Sequence, residues 1–311
     1  MNQDLPLVSV IMNAYNAELY ISEAINSVLE QTYENWELIV WDNHSKDNTS
    51  QLVNNFDDDR IKYNLSEEFT PLGEARNLAI SNSKGSLIAF LDSDDIWFPD
   101  KLEKQVPLFK SDNVGIVISD SIFFNANEKS YQIYKKNKPD TGSVFRKLFS
   151  NYFISLETAI VRKSALDKLD HLFDKRFNMV EEYDLFVRLS MDWELDYVDK
   201  VLAKWRVHEG SWTWSKEKDF PKEKRLMLEK YISTIPNFAL DYSEEIIQFS
   251  RGFSLEEAII EWKEGNNVTS RKILKPYLFS GIKWFFLYFL TFFPITLYET
   301  IQKVRGSVRP G

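Results

Sequence analysis

The sequence contains no cysteine in its 311 residues. This absence excludes three kinds of site at once: a disulfide framework, a thiolate metal centre and a cysteine nucleophile. It fits a chain that works in the reducing cytosol, although it does not by itself fix the compartment. Any metal site must therefore use ligands other than cysteine sulfur.

Basic residues are missing from the start of the chain, since the first one is Lys46. A secretory signal peptide begins with a positively charged segment, and Asp4 also interrupts the approach to the first apolar run. We therefore expect no export signal and a cytoplasmic location.

Glycine is missing from the turn after the first predicted strand, which reads NAYNAELY. A nucleotidyltransferase needs a glycine-rich basic loop at this point. A nicotinamide dehydrogenase needs the spacing G-x-G-x-x-G after an early strand. The stretch has neither glycine nor a cation, so both enzyme classes are disfavoured.

Charge is unevenly distributed along the chain, whose net charge is -9. Residues 271–311 hold seven basic residues against Glu299 alone, a net +6 that leaves -15 on residues 1–270. Nucleic acid is therefore an unfavoured partner for the acidic body, and the basic tail needs its own explanation.

Apolar runs and helical patterns alternate along the first third of the chain. Short buried strands are predicted at 7–12, 36–41 and 86–91, and apolar residues at helical spacing follow the earlier strands. Asn16 is a candidate cap for the first of these helices. This alternation is typical of an α/β fold with a mostly parallel sheet flanked by helices.

The pattern changes further along the chain, becoming mixed, then helical, then apolar and basic. We therefore predict an α/β domain in two halves with a C-terminal helical extension and a hydrophobic tail. The predicted boundaries are 1–119 and 120–215 for the halves, 216–275 for the extension and 276–311 for the tail.

The apolar run SLIAFL ends in three carboxylates, Asp92, Asp94 and Asp95. Because alternate residues of an extended chain point the same way, Asp92 and Asp94 can converge on one cation. Carboxylate oxygens suit Mg²⁺ or Mn²⁺, and Mg²⁺ fills its other positions with substrate phosphates and water. The alternative is that these polar residues only cap the helix that follows.

Several motifs around these acids occur together: VSVIM and NAYNAELY, then WDNHSKDNT, GEARN and LDSDDIWFPDKLE. In this combination the chain resembles the nucleotide-sugar-binding half of family 2 glycosyltransferases, which have the GT-A fold. The similarity is dense over residues 6–120 and thinner to about residue 215. It implies a nucleotide diphosphate sugar as donor, Mn²⁺ or Mg²⁺ as cofactor, and inverting transfer to an acceptor hydroxyl.

The resemblance also implies which residues surround the donor. Ala14 and Tyr15 would border the nucleotide, and Asp42 with Asn43 would contact the base. The family usually has a second acid where this chain has Asn43, so the preferred base, including the usual uracil, is left open. Arg76 in GEARN would meet phosphate or stack on a base, whereas a surface salt bridge is the alternative.

The resemblance also implies a set of metal ligands and a segment that closes over the donor. Asp94 would be the direct ligand, and Asp92 would be a ligand or a ribose contact. The segment WRVHEGSWT would bring Arg206 and His208 to the diphosphate or the metal, although a histidine there can equally be an ordinary polar residue. Two tryptophans nearby would stack on a sugar or anchor a loop: Trp212 and Trp214.

The stretch NMVEEYDLFVRLS supplies a candidate general base for the acceptor hydroxyl. Its apolar spacing predicts a helix that starts with Glu181 and Glu182, where the helix dipole by itself favours carboxylates. The resemblance places an acidic pair here, usually Glu then Asp, so Glu182 stands where the base is expected. Glutamate reaches one methylene further than aspartate, so Glu181 stays an alternative.

Residues 276–298 read PYLFSGIKWFFLYFLTFFPITLY and contain one charge, Lys283. The uncharged run 284–298 is shorter than the roughly 20 residues of a spanning helix, and Pro294 would kink it. Basic residues on both sides favour a segment that lies against anionic lipid. Burial against the helical region or in a dimer is the alternative.

Together these features predict a glycosyltransferase at the inner face of the plasma membrane. It would move a sugar from a nucleotide diphosphate sugar to a glycan or polyprenyl-linked acceptor, with peripheral membrane contact through the tail. A non-catalytic sugar-binding or lipid-binding protein of the same fold is the alternative, and Asn43 lends it some support.

Overall fold

A computed structural model describes residues 5–125, 130–208, 210 and 216–304, with side chains described up to residue 300. The chain forms two compact units. The first comprises residues 1–145 and 153–208, and the second comprises residues 146–152 and 209–311. The four-part division expected from the sequence stays a prediction.

The first unit is built on one sheet, in which the described residues form nine strands. The spatial order is β3-β2-β1-β4-β8-β6-β9-β5, and β7 pairs with β6 at the side. The strands are β1 (Val8–Ala14), β2 (Trp36–Asp42), β3 (Ile61–Leu65), β4 (Leu87–Phe90), β5 (Ile96–Trp97), β6 (Val114–Asn125), β7 (Ser130–Gln132), β8 (Ile160–Arg162) and β9 (Glu194–Val207).

Helices accompany these strands, as the alternating pattern predicted. They are α1 (Ile21–Leu29), α2 (Thr49–Asn54), α3 (Leu72–Ser81), α4 (Lys101–Gln105), α5 (Phe145–Ser150, of which residues 146–150 belong to the second unit), α6 (Lys163–Leu166) and α7 (Glu181–Leu189). Short 3₁₀ helices cover Val106–Lys110 and Leu156–Thr158. The predicted α/β fold with a helix-flanked sheet is confirmed.

Parallel pairing brings the ends of the first strands together. β1 pairs in parallel with β2, so that Ala14 lies opposite Asp42, and with β4, so that Ile11 lies opposite Phe90. Val8, Val10, Met12 and Ala14 share one core cluster because every second side chain faces the same side, and Ile11 is buried as well. The polar residues that follow β1, β2 and β4 therefore meet at one edge of the sheet.

The two-residue strand β5 places the end of β9 beside the acidic turn. β5 pairs with β9 in antiparallel fashion, with Ile96 opposite Lys204 and Trp97 opposite Ala203. The continuation of β9 towards His208 therefore runs back towards the turn that carries Asp94 and Asp95.

One local prediction was wrong. Asn16 does not cap α1, which starts only at Ile21. Asn16 adopts a positive φ of 49°, and its side-chain oxygen accepts a hydrogen bond from the backbone N–H of Lys46 at 2.8 Å. The side chain is thus used to hold the turn after β1 to the turn after β2.

The second unit is helical in its described part. Its helices are α8 (Asp219–Thr234), α9 (Phe238–Asp241), α10 (Ser243–Lys263), α11 (Asn267–Leu274), α12 (Ile282–Leu290) and α13 (Ile295–Val304), with a 3₁₀ helix at Lys275–Tyr277. Phe149 is buried and contacts the rings of Tyr231, Phe238 and Phe249. Gly265, with a φ of 82°, ends α10 and starts the turn to α11.

The apolar tail forms two short helices. α12 ends at Leu290 and α13 begins at Ile295, directly after Pro294. The break expected at Pro294 is therefore present. Within the part of the chain that the structure describes, none of the helices combines the length and the hydropathy needed to cross a membrane.

Candidate active site

Arg76 links two acidic segments of the first unit. It lies on α3 and is buried, and its Nη1 donates to Glu181 Oε1 at 2.5 Å. Its Nη2 donates to Asp92 Oδ1 at 3.2 Å. One guanidinium therefore joins the turn after β4 to the first residue of α7.

Arg76 stays positively charged despite its burial. Burial alone would lower the pKa of the guanidinium, but the carboxylates of Asp92 and Glu181 raise it above its ordinary value. Glu181 is thus held in a buried ion pair with Arg76. An acid in such a pair is a poor proton acceptor, because the pairing favours its charged form.

Glu182 follows on the first turn of α7 and has a different environment. It is partly buried, and this burial raises the pKa of its carboxyl to about 8, with the charges of Glu181 and Asp92 adding to the effect and Arg76 opposing it. A carboxyl whose pKa lies near neutral pH can both accept and release a proton under working conditions.

Asp94 and His208 contact each other at the end of β9. The distance from His208 Nε2 to Asp94 Oδ2 is 2.8 Å, and the two side chains are 25% and 30% exposed. The side chain of Asp92 is 37% exposed, and the charge of Asp94 acts on it electrostatically. Asp92 and Asp94 are partly open to solvent, and their carboxylate oxygens are the ligand type that suits Mn²⁺ or Mg²⁺.

Arg206 fixes the acidic turn from the side of β9. Its backbone N–H donates to Asp95 Oδ1 at 2.8 Å, and its Nε donates to the carbonyl oxygen of Asp94 at 2.8 Å. The guanidinium also pairs with Glu23 at 2.5 Å and lies 4.4 Å from the centroid of the Tyr20 ring. Arg206 thus positions the acidic turn, and its contact with the diphosphate or the metal stays a prediction.

The residues predicted to meet the base lie at the same edge of the sheet. The carbonyl oxygen of Ala14 accepts a hydrogen bond from the N–H of Asn43 at 2.8 Å. Asp42 is buried and accepts hydrogen bonds from the Tyr63 hydroxyl at 2.7 Å and the Ser45 N–H at 2.8 Å.

Asn43 uses both halves of its amide on Thr70. Its Nδ2 donates to the Thr70 carbonyl at 2.8 Å, and its Oδ1 accepts from the Thr70 N–H and hydroxyl, each at 3.0 Å. An aspartate could not donate to that carbonyl. Asparagine in place of the family's usual acid therefore allows this hydrogen bond to the Thr70 carbonyl.

Tyr15 forms an exposed aromatic pair at this edge. Its ring is 4.8 Å from the ring of Phe69, centroid to centroid, in an edge-on arrangement, and both side chains are exposed. Exposed rings at this edge of the sheet offer surfaces for stacking on a planar base.

Comparison with known proteins assigns the chain to a family. The model of "Glycosyl transferase family 2" matches residues 9–170. An Escherichia coli protein named UDP-Glc:alpha-D-GlcNAc-diphosphoundecaprenol beta-1,3-glucosyltransferase WfgD is 34% identical over 219 residues, which cover 70% of this chain and 83% of that protein. The chain belongs to glycosyl transferase family 2. It is therefore an enzyme, a glycosyltransferase.

Other relatives and solved structures agree with this assignment. The putative teichuronic acid biosynthesis glycosyltransferase TuaG of Bacillus subtilis is 45% identical over 103 residues, covering 32% of this transferase and 41% of TuaG. The structure of S. aureus TarS 1-349 with UDP-GlcNAc has a TM-score of 0.65 at 22% identity, covering 87% and 80% of the two chains. Mannosyltransferase PcManGT from Pyrobaculum calidifontis, with GDP-Man and Mn²⁺, has a TM-score of 0.62 at 17% identity, covering 90% and 77%. These likenesses show the GT-A fold.

Two buried acids of the transferase were given no role from its sequence. Asp95 and Glu157 are buried, and burial raises the pKa of both carboxyls. Glu157 accepts hydrogen bonds from the hydroxyls of Ser121 at 2.6 Å and Ser155 at 2.8 Å. Asp95 stood out as an acid in the sequence, whereas Glu157, in SLETA, gave no signal.

A second group of possible metal ligands lies elsewhere in the transferase. The ligand atoms of His171, Asp174 and Asp184 lie within 4.8 Å of one another. However, Asp174 pairs with Arg176 at 2.6 Å and Asp184 pairs with Arg188 at 2.9 Å. Both carboxylates are buried and each is paired with an arginine, so we assign this group a structural role.

Trp212 and Trp214 lie outside the described residues, so their sugar contacts stay predictions.

Proposed function

We propose that this transferase moves a sugar from a nucleotide diphosphate sugar to an acceptor hydroxyl, with metal assistance and inversion at the anomeric carbon. The observation that carries the proposal is the Arg76 bridge, which holds the Asp92 turn against the helix start that bears Glu182. The bridge supports the proposal because it would hold a site for the leaving diphosphate and the candidate base to one side chain.

Asp94, Asp92 and His208 would hold the metal. A bound dication would act as a Lewis acid on the leaving diphosphate, where negative charge builds up as the sugar bond breaks. The chain itself keeps Asp94 in place through Arg206, whose Nε binds the Asp94 carbonyl.

Glu182 would take the proton of the acceptor hydroxyl. Its raised pKa of about 8 supports this role, because the carboxylate formed above that pH is a stronger base than an ordinary glutamate. Glu181 is the weaker candidate, since it is held by Arg76 at 2.5 Å. Attack by the hydroxyl on the face opposite the leaving group inverts the anomeric carbon.

The names of the relatives support a choice of substrates. WfgD is named for UDP-Glc and a diphosphoundecaprenol acceptor, and TarS was solved with UDP-GlcNAc. We therefore infer a UDP-sugar donor and a polyprenyl-linked or glycan acceptor for this chain. With such an acceptor it would act at the inner face of the plasma membrane.

The test is slow hydrolysis and binding of UDP, GDP and dTDP sugars, with and without Mn²⁺, on the wild type and on Asp94→Ala. We expect metal-dependent hydrolysis of one UDP sugar by the wild type and none by the variant. Metal-independent binding without turnover, unchanged in Asp94→Ala, would contradict the proposal. A preference for GDP or dTDP sugars would overturn only the choice of base.

A further inference from the structure

Helix α12 of the second unit has one packed face. Trp284, Leu287 and Tyr288 lie at helical spacing and pack into a small core with Ala258 of α10 and Leu274 of α11. The apolar tail is therefore fastened to the helical extension through this face. One side of α12 is therefore buried against the helical region, as the alternative interpretation of the sequence expected.

The opposite side of the tail is an exposed aromatic surface. The exposed fraction is 90% for Phe279, 58% for Phe286 and 54% for Phe293. Neighbouring rings touch, with Phe285 and Phe289 at 4.6 Å and Phe289 and Phe292 at 6.2 Å between centroids. We call this surface the outer aromatic face; it comprises Phe279, Phe285, Phe286, Phe289, Phe292 and Phe293.

Hydrogen bonds from α10 and α11 hold the outer aromatic face in position. Arg271 Nη1 and Asn267 Nδ2 both donate to the carbonyl of Thr291 at 2.9 Å. Trp262 Nε1 donates to the carbonyl of Phe293 at 3.0 Å. The carbonyl groups at the end of α12 thus have partners, and the rings are presented by a fixed corner rather than by a loose chain.

Positive charge is close to the exposed rings: the Arg271 guanidinium lies 4.3 Å from the centroid of the Phe292 ring, and three lysines are near the rings in sequence. Lys272, Lys275 and Lys283 are exposed, and the sequence has no acidic residue from 265 to 298. Contiguous exposed apolar surface with basic residues nearby marks an interaction site for anionic amphiphilic partners.

We propose that the outer aromatic face docks onto the surface of a bilayer that contains anionic lipid. The rings would enter the boundary between headgroups and acyl chains, and the lysines would contact the anionic headgroups. The proposal goes beyond the transfer reaction and does not depend on it.

Charge favours a bilayer over a second copy of the chain. In a symmetric pair the same patch meets itself, so each set of lysines would face an identical set. Such a contact brings like charges together around the buried rings. An anionic lipid surface supplies the opposite charge instead.

The experiment measures partitioning of the full chain to phosphatidylcholine vesicles with and without phosphatidylglycerol, by flotation. We expect binding that requires phosphatidylglycerol and weakens with salt. Phe286→Ser with Phe293→Ser should lower partitioning by about tenfold for each ring. Lys272→Gln with Lys275→Gln should lower it by roughly fivefold for each lysine.

Matched controls come from the same unit. Leu240→Ser with Ile247→Ser removes apolar side chains that are 78% and 52% exposed outside the tail. Lys218→Gln with Lys222→Gln removes two exposed charges at the start of α8. Both controls should partition like the wild type.

Three results would overturn the proposal. The first is a wild type that stays free of phosphatidylglycerol vesicles, and the second is that the ring variants bind as well as the controls. The third is concentration-dependent dimerisation that Phe286→Ser abolishes, which would make the outer aromatic face an interface between copies. Flotation needs no catalysis, so failure here and failure of donor hydrolysis are distinguishable.

Discussion

Arg76 should contribute to the stability of the folded chain, because it is the buried partner of Glu181. Removing it would leave Glu181 as a buried carboxylate without its cation. Breaking a buried pair from one side costs about 3–5 kcal/mol, whereas an exposed pair is worth about 1 kcal/mol or less. We expect Arg76→Ala to lower the free energy of unfolding, measured in urea at neutral pH, by about 3–5 kcal/mol.

Lys138→Ala is the control for that measurement. Lys138 pairs with Asp199 across side chains that are 64% and 60% exposed. Its removal should cost about 1 kcal/mol or less. A similar small loss for Arg76→Ala would mean that the Glu181 carboxyl becomes protonated or hydrated, and that Arg76 does not hold the two segments together.

Glu182 gives the transferase a predictable response to pH. A carboxyl with a pKa of about 8 in the folded chain is mostly protonated at pH 7 and becomes a base only as the pH rises. We expect the transfer rate to increase through pH 8, measured at saturating donor and acceptor. Glu182→Gln should lower transfer by roughly 10²–10⁴-fold while donor binding is kept. Glu30→Gln, at the exposed end of α1, is the control.

Stability should move in the opposite direction with pH. The ordinary pKa of glutamate is 4.5, so between about pH 4.5 and 8 the folded chain holds a proton on Glu182 that the unfolded chain has lost. The contribution of Glu182 is therefore full below pH 4.5 and is lost as the pH rises through 8. Glu182→Gln should flatten this part of the profile, and an unchanged rate and profile would move the base elsewhere.

At the level of elements, local patterns predicted three of the strands in the first third of the chain. The buried runs at β1, β2 and β4 were recognisable because parallel strands covered on both faces are continuously apolar. The start of α1 was misplaced because Asn16 bonds to Lys46, thirty positions away. The residue preferences of helix ends favour Asn16 as a cap, but they do not include a hydrogen bond to a residue as distant in sequence as Lys46.

The pairing of β6 with β9 rests on a glycine. β6 and β9 are parallel, and their register shifts at Gly115, between Val114 and Ile116. A Cβ added to Gly115 would lie 2.6 Å from Trp193 Cβ and 2.7 Å from Trp193 Cγ. Gly115→Ala should therefore force this indole aside and destabilise the chain by about 1–3 kcal/mol, measured by urea unfolding.

Gly252 provides the matched comparison. It lies within α10, and an added Cβ there meets no atom within 4 Å. Gly252→Ala should stabilise by up to about 1 kcal/mol, because alanine is the better helix former. Equal effects of the two substitutions would show that Trp193 moves freely and that the register shift tolerates a side chain.

At the scale of the whole molecule, the candidate site joins parts of the chain that are far apart in sequence. Arg76, Asp92 and Glu181 form one cluster, although 105 positions separate the first from the last. No periodicity or spacing connects such residues, so only the resemblance to a family could predict that they meet. The resemblance indicated Arg76, Asp92 and Glu181 as site residues, but it did not predict that Arg76 pairs with both acids. It also did not indicate Glu157.

The residues of the candidate site are far apart in sequence, so the site exists only when the chain is folded. Ligand binding should therefore stabilise the folded state. A ligand that binds only the folded state stabilises it by about 2.7 kcal/mol at 100 times its Kd. We expect UDP with Mn²⁺ to raise the thermal midpoint of the full chain, and Asp94→Ala to remove the part that depends on Mn²⁺. Phe286→Ser should keep the entire shift, because its exposed ring has no part in the proposed donor site. Loss of the shift in Phe286→Ser, or its persistence in Asp94→Ala, would contradict the separation of a metal-dependent donor site from a lipid-facing surface.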